Sequence, residues 1–153
     1  MTLSIRQQVA DAVRTLLESW SDRPADTQIE RVYGIESYIN EWPGGRSRIG
    51  CYVTQVDGER IARNQDQQEI TIAVAYLRKI DAAETIDAID EADTEAESLW
   101  LWLRDQDQRL LIDAGAASRV NTTVPTPYSS ELLRSNSIFC QVVTSVYRVL
   151  STR

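Results

Sequence analysis

The chain has 153 residues, 42% of them hydrophobic, with a formal net charge of −7 and a pI near 4.6. That length suits one ordinary domain able to bury roughly 70% of its unfolded surface, and the acidic balance excludes a general affinity for DNA phosphates, which needs clustered cations. No histidine is present, which excludes Ser-His-Asp and Cys-His nucleophiles and His-ligated metals.

The basic residues are Arg except for Lys79. Arginine suits bidentate pairing with carboxylates and is the common basic residue of interfaces, and a GC-rich coding sequence would give the same bias. Cys51 and Cys140 sit in strand-like runs without a Cys-x-x-Cys spacing. Two buried thiols in a reducing compartment and a disulfide both fit them. The first residues carry no basic-then-apolar signal pattern, and no apolar run approaches the ~20 residues of a bilayer span. The expectation is a product of the cytosol that meets no membrane.

Ser4 is placed to cap a helix carrying Ile5, Val9, Ala12, Val13, Leu16, Leu17 and Trp20 at helical spacing. Pro24 stops it. A short strand is expected over Ile29 to Tyr33. The segment from Gly34 to Arg48 fits a helical turn or two and then a bend at Trp42-Pro43-Gly44-Gly45. Ile49 to Val56 is a strand, and Asp57-Gly58 carries the pattern of a two-residue hairpin turn. The polar stretch after it holds Arg60 and Arg63, which suggests a protruding hairpin: a plain loop, or a device for reaching a neighbour.

Glu69 to Ile80 alternates at period two, with Ile70, Ile72, Val74, Tyr76 and Ile80 on one side and Thr71, Ala73, Ala75 and Leu77 on the other. Such a strand belongs in the middle of a sheet, and its end at Arg78-Lys79 is expected to reach water. Asp81, with Glu84 as a capping partner, begins a long amphipathic helix whose Ile86, Ile89, Ala96, Leu99, Trp100 and Leu103 recur at helical steps. Its other side is acidic, with Asp87, Asp90, Glu91, Asp93, Glu95 and Glu97 and no cation before Arg104. A solvated face explains this, as does a face that meets arginines of another copy of the chain. A carboxylate metal site fits poorly, because no calcium-loop spacing is present.

Arg109 to Asp113 is a short apolar segment ended by Gly115, and Arg119 to Val124 alternates as a strand. Pro125 and Pro127 keep the next stretch out of the centre of a sheet. Ile138 to Leu150 is a second long strand, apolar on both sides and integral to the fold. The sum is a single α+β domain over residues 1–153: a mostly antiparallel sheet of about four to five strands, with two main helices packed on one face and a protruding hairpin.

No phosphate-binding loop or dinucleotide fingerprint is present. The Asp87/Asp90 pair lies on what reads as a solvent face rather than in a cleft. Tyr33, Tyr38 and Tyr52 near Trp42 fit core or interface packing better than an aromatic binding patch. No enzymatic function is expected, and no cofactor or metal.

This layout resembles the tail terminator, or tail completion, proteins of long-tailed bacteriophages. The resemblance rests on an opening amphipathic helix (Leu3–Trp20), a strand and hairpin leading to a long strand with a basic end (Ile70–Lys79), an Asp-initiated helix (Asp81–Arg104), and a closing strand (Ile138–Leu150). The extended acidic run and the Tyr-rich 33–52 segment depart from it. The resemblance implies a structural virion protein of the neck, assembled in the host cytoplasm as a homohexameric ring. Such a ring caps the tail tube, ends its polymerisation and meets the head connector or stopper protein, with the tail sheath as a further partner in a contractile tail. DNA would pass through its channel without specific binding. Rings need heterologous contacts: Arg60 and Arg63, or Arg46 and Arg48, on one subunit are expected to meet the acidic helix face with Asp87, Asp90 and Glu91 on the next, and Asp57 and Gly58 are further expected interface residues. A head–tail stopper or adaptor and a monomeric acidic cytosolic binding module are the alternatives.

Overall fold

The computed structural model describes residues 2–62, 65–80, 86–106, 109–126 and 128–152. Its elements in order are α1 (Ile5–Glu18), β1 (Thr27–Arg31), α2 (Glu36–Asn40), β2 (Ser47–Ala62), β3 (Gln65–Lys79), α3 (Ile86–Arg104), β4 (Arg109–Ile112), β5 (Gly115–Thr126), α4 (Ser130–Asn136) and β6 (Ile138–Thr152). The strands form a six-stranded sheet in the order β1-β2-β3-β6-β5-β4. The fold is α+β, but with six strands rather than the four to five expected, and the sheet is mixed. The edge strand β1 runs parallel to β2, with Ile29 opposite Ile49, while every other neighbour pair is antiparallel.

α1 starts where the sequence places it. Ser4 Oγ accepts from the Gln7 backbone and the Gln7 side chain accepts from the Ser4 backbone at 2.9 Å, a reciprocal capping box. Its inner face buries Val9, Ala10, Val13 and Leu17, and each of the larger aliphatic side chains contributes about 1.5–3 kcal/mol by leaving water. α3 lies on the same face of the sheet through Ala88, Ala92, Ala96, Leu99 and Leu103. Its first apolar residue, Ile86, expected on the buried stripe, is instead 72% exposed. The expected helix start at Asp81 and Glu84 lies outside the described residues.

β3 is central, between β2 and β6, as its two apolar faces require. Ile70, Ile72, Val74 and Tyr76 meet α1 and α3 in the main core, joined by Phe139, Val143, Tyr147 and Val149 of β6. The opposite face carries a smaller core of Tyr38, Ala75, Leu77, Ile138 and Cys140, closed by side chains from α2 and α4 such as Ile35 and Leu132. The two long helices therefore share one face, and two short helices cover part of the other. Cys51 belongs to the first core and Cys140 to the second. Both thiols are free and buried, and the sheet stands between them.

Asp57-Gly58 is not a turn. Asp57 pairs with Glu69 and Gly58 with Gln68, and the β2–β3 ladder continues to Ala62 opposite Gln65. β6 pairs along the other side of β3 over the same length, as far as Gln65 opposite Thr152. The expected protruding hairpin is therefore the outer part of a three-stranded ribbon. β2, β3 and β6 have 16, 15 and 15 residues, against about 5–6 for an ordinary strand, and each spans about 50 Å. The bend ahead of β2 uses Gly44 and Gly45 at φ values of +96° and +79°. Pro125 falls beyond Ser118, where β4 no longer pairs, and inside the register shift between Thr123 and Thr126 of the β5–β6 ladder, the kind of position that tolerates a residue without an N–H.

Candidate functional site

Period two in β3 puts Arg78 on the same side as Tyr76, under α3, rather than in water. Arg78 is 5% exposed, whereas Lys79 is exposed and donates to the Asn136 carbonyl at 2.8 Å. Two acids one helical turn apart face Arg78: its Nη1 lies 3.6 Å from Glu91 and 3.9 Å from Glu95. Among the described residues its Nε and Nη1 have no hydrogen-bond partner, so at these two nitrogens charge rather than a directed bond holds Arg78. Arg46, just ahead of β2, reaches the same acids, donating from Nη2 to Glu91 and to Glu95 at 2.9 Å. The Tyr76 hydroxyl also donates to Glu95, and burial together with this carboxylate raises the phenol's pKa. Two guanidiniums and two carboxylates thus lock α3 to β2 and β3.

That arrangement changes the standing of the expected interface residues. Arg46 does meet the acidic helix, but within its own chain. Arg48 is also engaged internally, 3.4 Å from Glu30 and within reach of the Gly44 and Pro43 carbonyls. Glu91 faces Arg46 and Arg78. Asp57, Gly58 and Arg60 are exposed on the outer half of β2, far along the ladder from the acids of α3; Asp57 accepts from Gln55 at 2.8 Å. Arg63 lies outside the described residues. Asp87 and Asp90 are exposed, and neither has a cation partner among the described residues.

A second set of residues gathers around Tyr33, which the sequence grouped with Tyr38, Tyr52 and Trp42 instead. Arg6 and Gln7 from the first turn of α1, and Arg31, Val32 and Tyr33 from the end of β1, line an open groove of about 290 Å³. Tyr33 is 81% exposed, yet its ring is fixed: Gln7 Nε2 donates to its hydroxyl at 3.0 Å, and the Arg31 guanidinium lies 5.8 Å from the ring centroid. Helix capping is what aims Gln7, because its amide oxygen is held by the Ser4 backbone. A larger groove of about 430 Å³ runs between α1 and β4. Its Asp11 is paired with Arg14 at 3.2 Å, and its wall is largely aliphatic, with Ala12, Leu16 and Leu110.

Among the described residues, no helix covers the outer half of the sheet face that carries α2 and α4. Cross-strand rows there read Gln55, Thr71, Val146, Asn121 and then Asp57, Glu69, Arg148, Ser118. Glu69 accepts from Arg148 at 2.7 Å, and Thr123 and Thr144 share a hydrogen bond at 2.9 Å. The exposed rows are polar and threonine-rich, with more acid than base.

Burial pushes the Cys51 and Cys140 thiols up to about 12, so neither is a nucleophile near neutral pH. Among the described residues no three His, Cys, Asp or Glu side chains converge as a metal-ligand set, and no helix is long and apolar enough to cross a membrane. No protein-family model and no curated protein matches the chain.

Proposed function

We propose that the chain is a structural protein of the neck of a long-tailed bacteriophage, a tail terminator that assembles as a ring of copies, caps the tail tube, ends its polymerisation and joins it to the head connector. In this reading it catalyses no reaction. The observation that carries the reading is the sheet. Three strands of 15 or 16 residues extend well beyond ordinary length, and among the described residues no helix covers half of one sheet face. A protein acting alone gains little from an open, ordered sheet face of this size, whereas a ring subunit needs stiff surfaces to set against its neighbours and the tube.

The charge favours the same reading. Asp57, Glu59 and Glu69 outnumber Arg148 on the bare face, so a channel lined by it would repel the DNA backbone and let the duplex pass. Negative-stain microscopy of tail tubes polymerised with the tagged chain is the test. The expected result is label at one blunt end of each tube and shorter tubes as the chain is added. Label along the tube walls, or tubes of unchanged length with bare ends, contradicts the proposal, and label only on head connectors favours the stopper or adaptor role.

A further inference from the structure

We propose that the groove of Arg6, Arg31 and Tyr33 receives carboxylates, and that its occupant is the outer acidic row of α3, Asp87, Asp90 and Glu97, on a second copy of the chain. This rests on the self-assembly reading above and names its contact. In a chain with seven more formal negative charges than positive, neither Arg6 nor Arg31 has a carboxylate partner among the described residues. Both residues line one groove. The Tyr33 hydroxyl accepts from Gln7, which leaves its own proton to donate outward. The first turn of α1 contains no acid, so the positive end of that helix is also unbalanced beside the groove. Two planar cations and a phenol donor around an open groove are the chemistry of carboxylate recognition.

α3 presents the complement. Its acids divide into two sets by helical position. Glu91 and Glu95 turn towards Arg46 and Arg78 of the same chain. Asp87, Asp90 and Glu97, at steps of three and seven, share an outward row and have no cation partner among the described residues. The groove belongs to α1 and the β1 edge, and the row to α3. Their pairing joins two different patches, which is the heterologous contact that closes rings.

The test uses two variants of the full chain, Arg6→Glu with Arg31→Glu and Asp90→Arg with Glu97→Arg, in sedimentation velocity at low and at high salt. The wild type is expected to associate at low salt and to weaken as salt screens the contact. Each variant alone should associate at least about tenfold more weakly. An equimolar mixture should regain association, because the reversed groove of one meets the reversed helix of the other. That recovery also demonstrates that both variants are folded. A mixture no stronger than its components overturns the pairing. Wild-type-like assembly of both variants overturns the pairing but leaves self-assembly intact, whereas a wild type that stays monomeric at low salt and high concentration overturns both.

Discussion

Replacing Glu95 by Gln removes charge but keeps shape, and the outcome weighs burial against distance in the lock between α3 and the sheet. Glu95 is the more buried of the two acids, with its side chain 17% exposed against 55% for Glu91. Glu91, however, stands closer to both Arg46 and Arg78. Removing one partner of a fully buried pair costs about 3–5 kcal/mol. Here Arg46 is one-third exposed and Glu91 remains, so Glu95→Gln is expected to cost about 2 kcal/mol, or roughly 4–8 °C of Tm for a chain of this size. Glu91→Gln, on the wetter side, should cost less than about 1 kcal/mol. Urea denaturation followed by tryptophan fluorescence measures both. If Glu91→Gln costs as much as Glu95→Gln, distance rather than burial governs the lock, and the reasoning fails.

The glycines of β2 give a paired prediction. A Cβ at Gly50 would meet Val32 Cγ2 at 2.9 Å and the Tyr38 ring at 3.2 Å, so Gly50→Ala should destabilise by about 1–3 kcal/mol. At Gly58 the nearest atom is a Gln67 carbonyl at 3.8 Å and φ is not positive. Gly58→Ala should therefore be neutral or stabilising by up to about 1 kcal/mol, where a turn glycine would lose stability; thermal melts distinguish the two. Burial raises Cys51 and Cys140 from 9.0 and Tyr147 from 10.0, each to about 12. These groups stay protonated in the folded chain while the unfolded chain ionises, so stability is full below pH 9 and falls as pH rises from 9 towards 12; flat stability across that range in urea titrations contradicts the burial. At pH 8, Ellman's reagent should react with neither cysteine until the chain is unfolded, and rapid labelling of the native chain would place a thiol at the surface.

The sequence made α1 readable through Ser4 and its apolar spacing, and β3 and β6 through alternation over more than ten residues. These are local signals strong enough to survive tertiary context. The hairpin turn was misplaced because Asp57-Gly58 is only a two-residue preference. It was overridden by a ladder that β6 extends on the far side of β3. The parallel edge strand β1 was illegible in orientation, since the chain returns through α2 and a glycine bend whose direction no periodicity records. Arg78 left a signal that alternation alone discounts. It continues the row of Ile70, Ile72, Val74 and Tyr76, and the next helix offers Glu91 and Glu95 one turn apart to meet it. The grouping of Arg6, Arg31 and Tyr33 left none, because only the packing of α1 beside β1 brings them together; the sequence set Tyr33 with Tyr38, Tyr52 and Trp42 instead.

The central claim is that this long-stranded sheet is a building block that fits against copies of itself. Light scattering coupled to size exclusion, at low salt and high protein concentration with tail tubes present and absent, measures the mass of what forms. A closed species of about six copies, free or seated on tubes, is expected. A chain that keeps the 17.3 kDa mass of a monomer under every one of these conditions contradicts it.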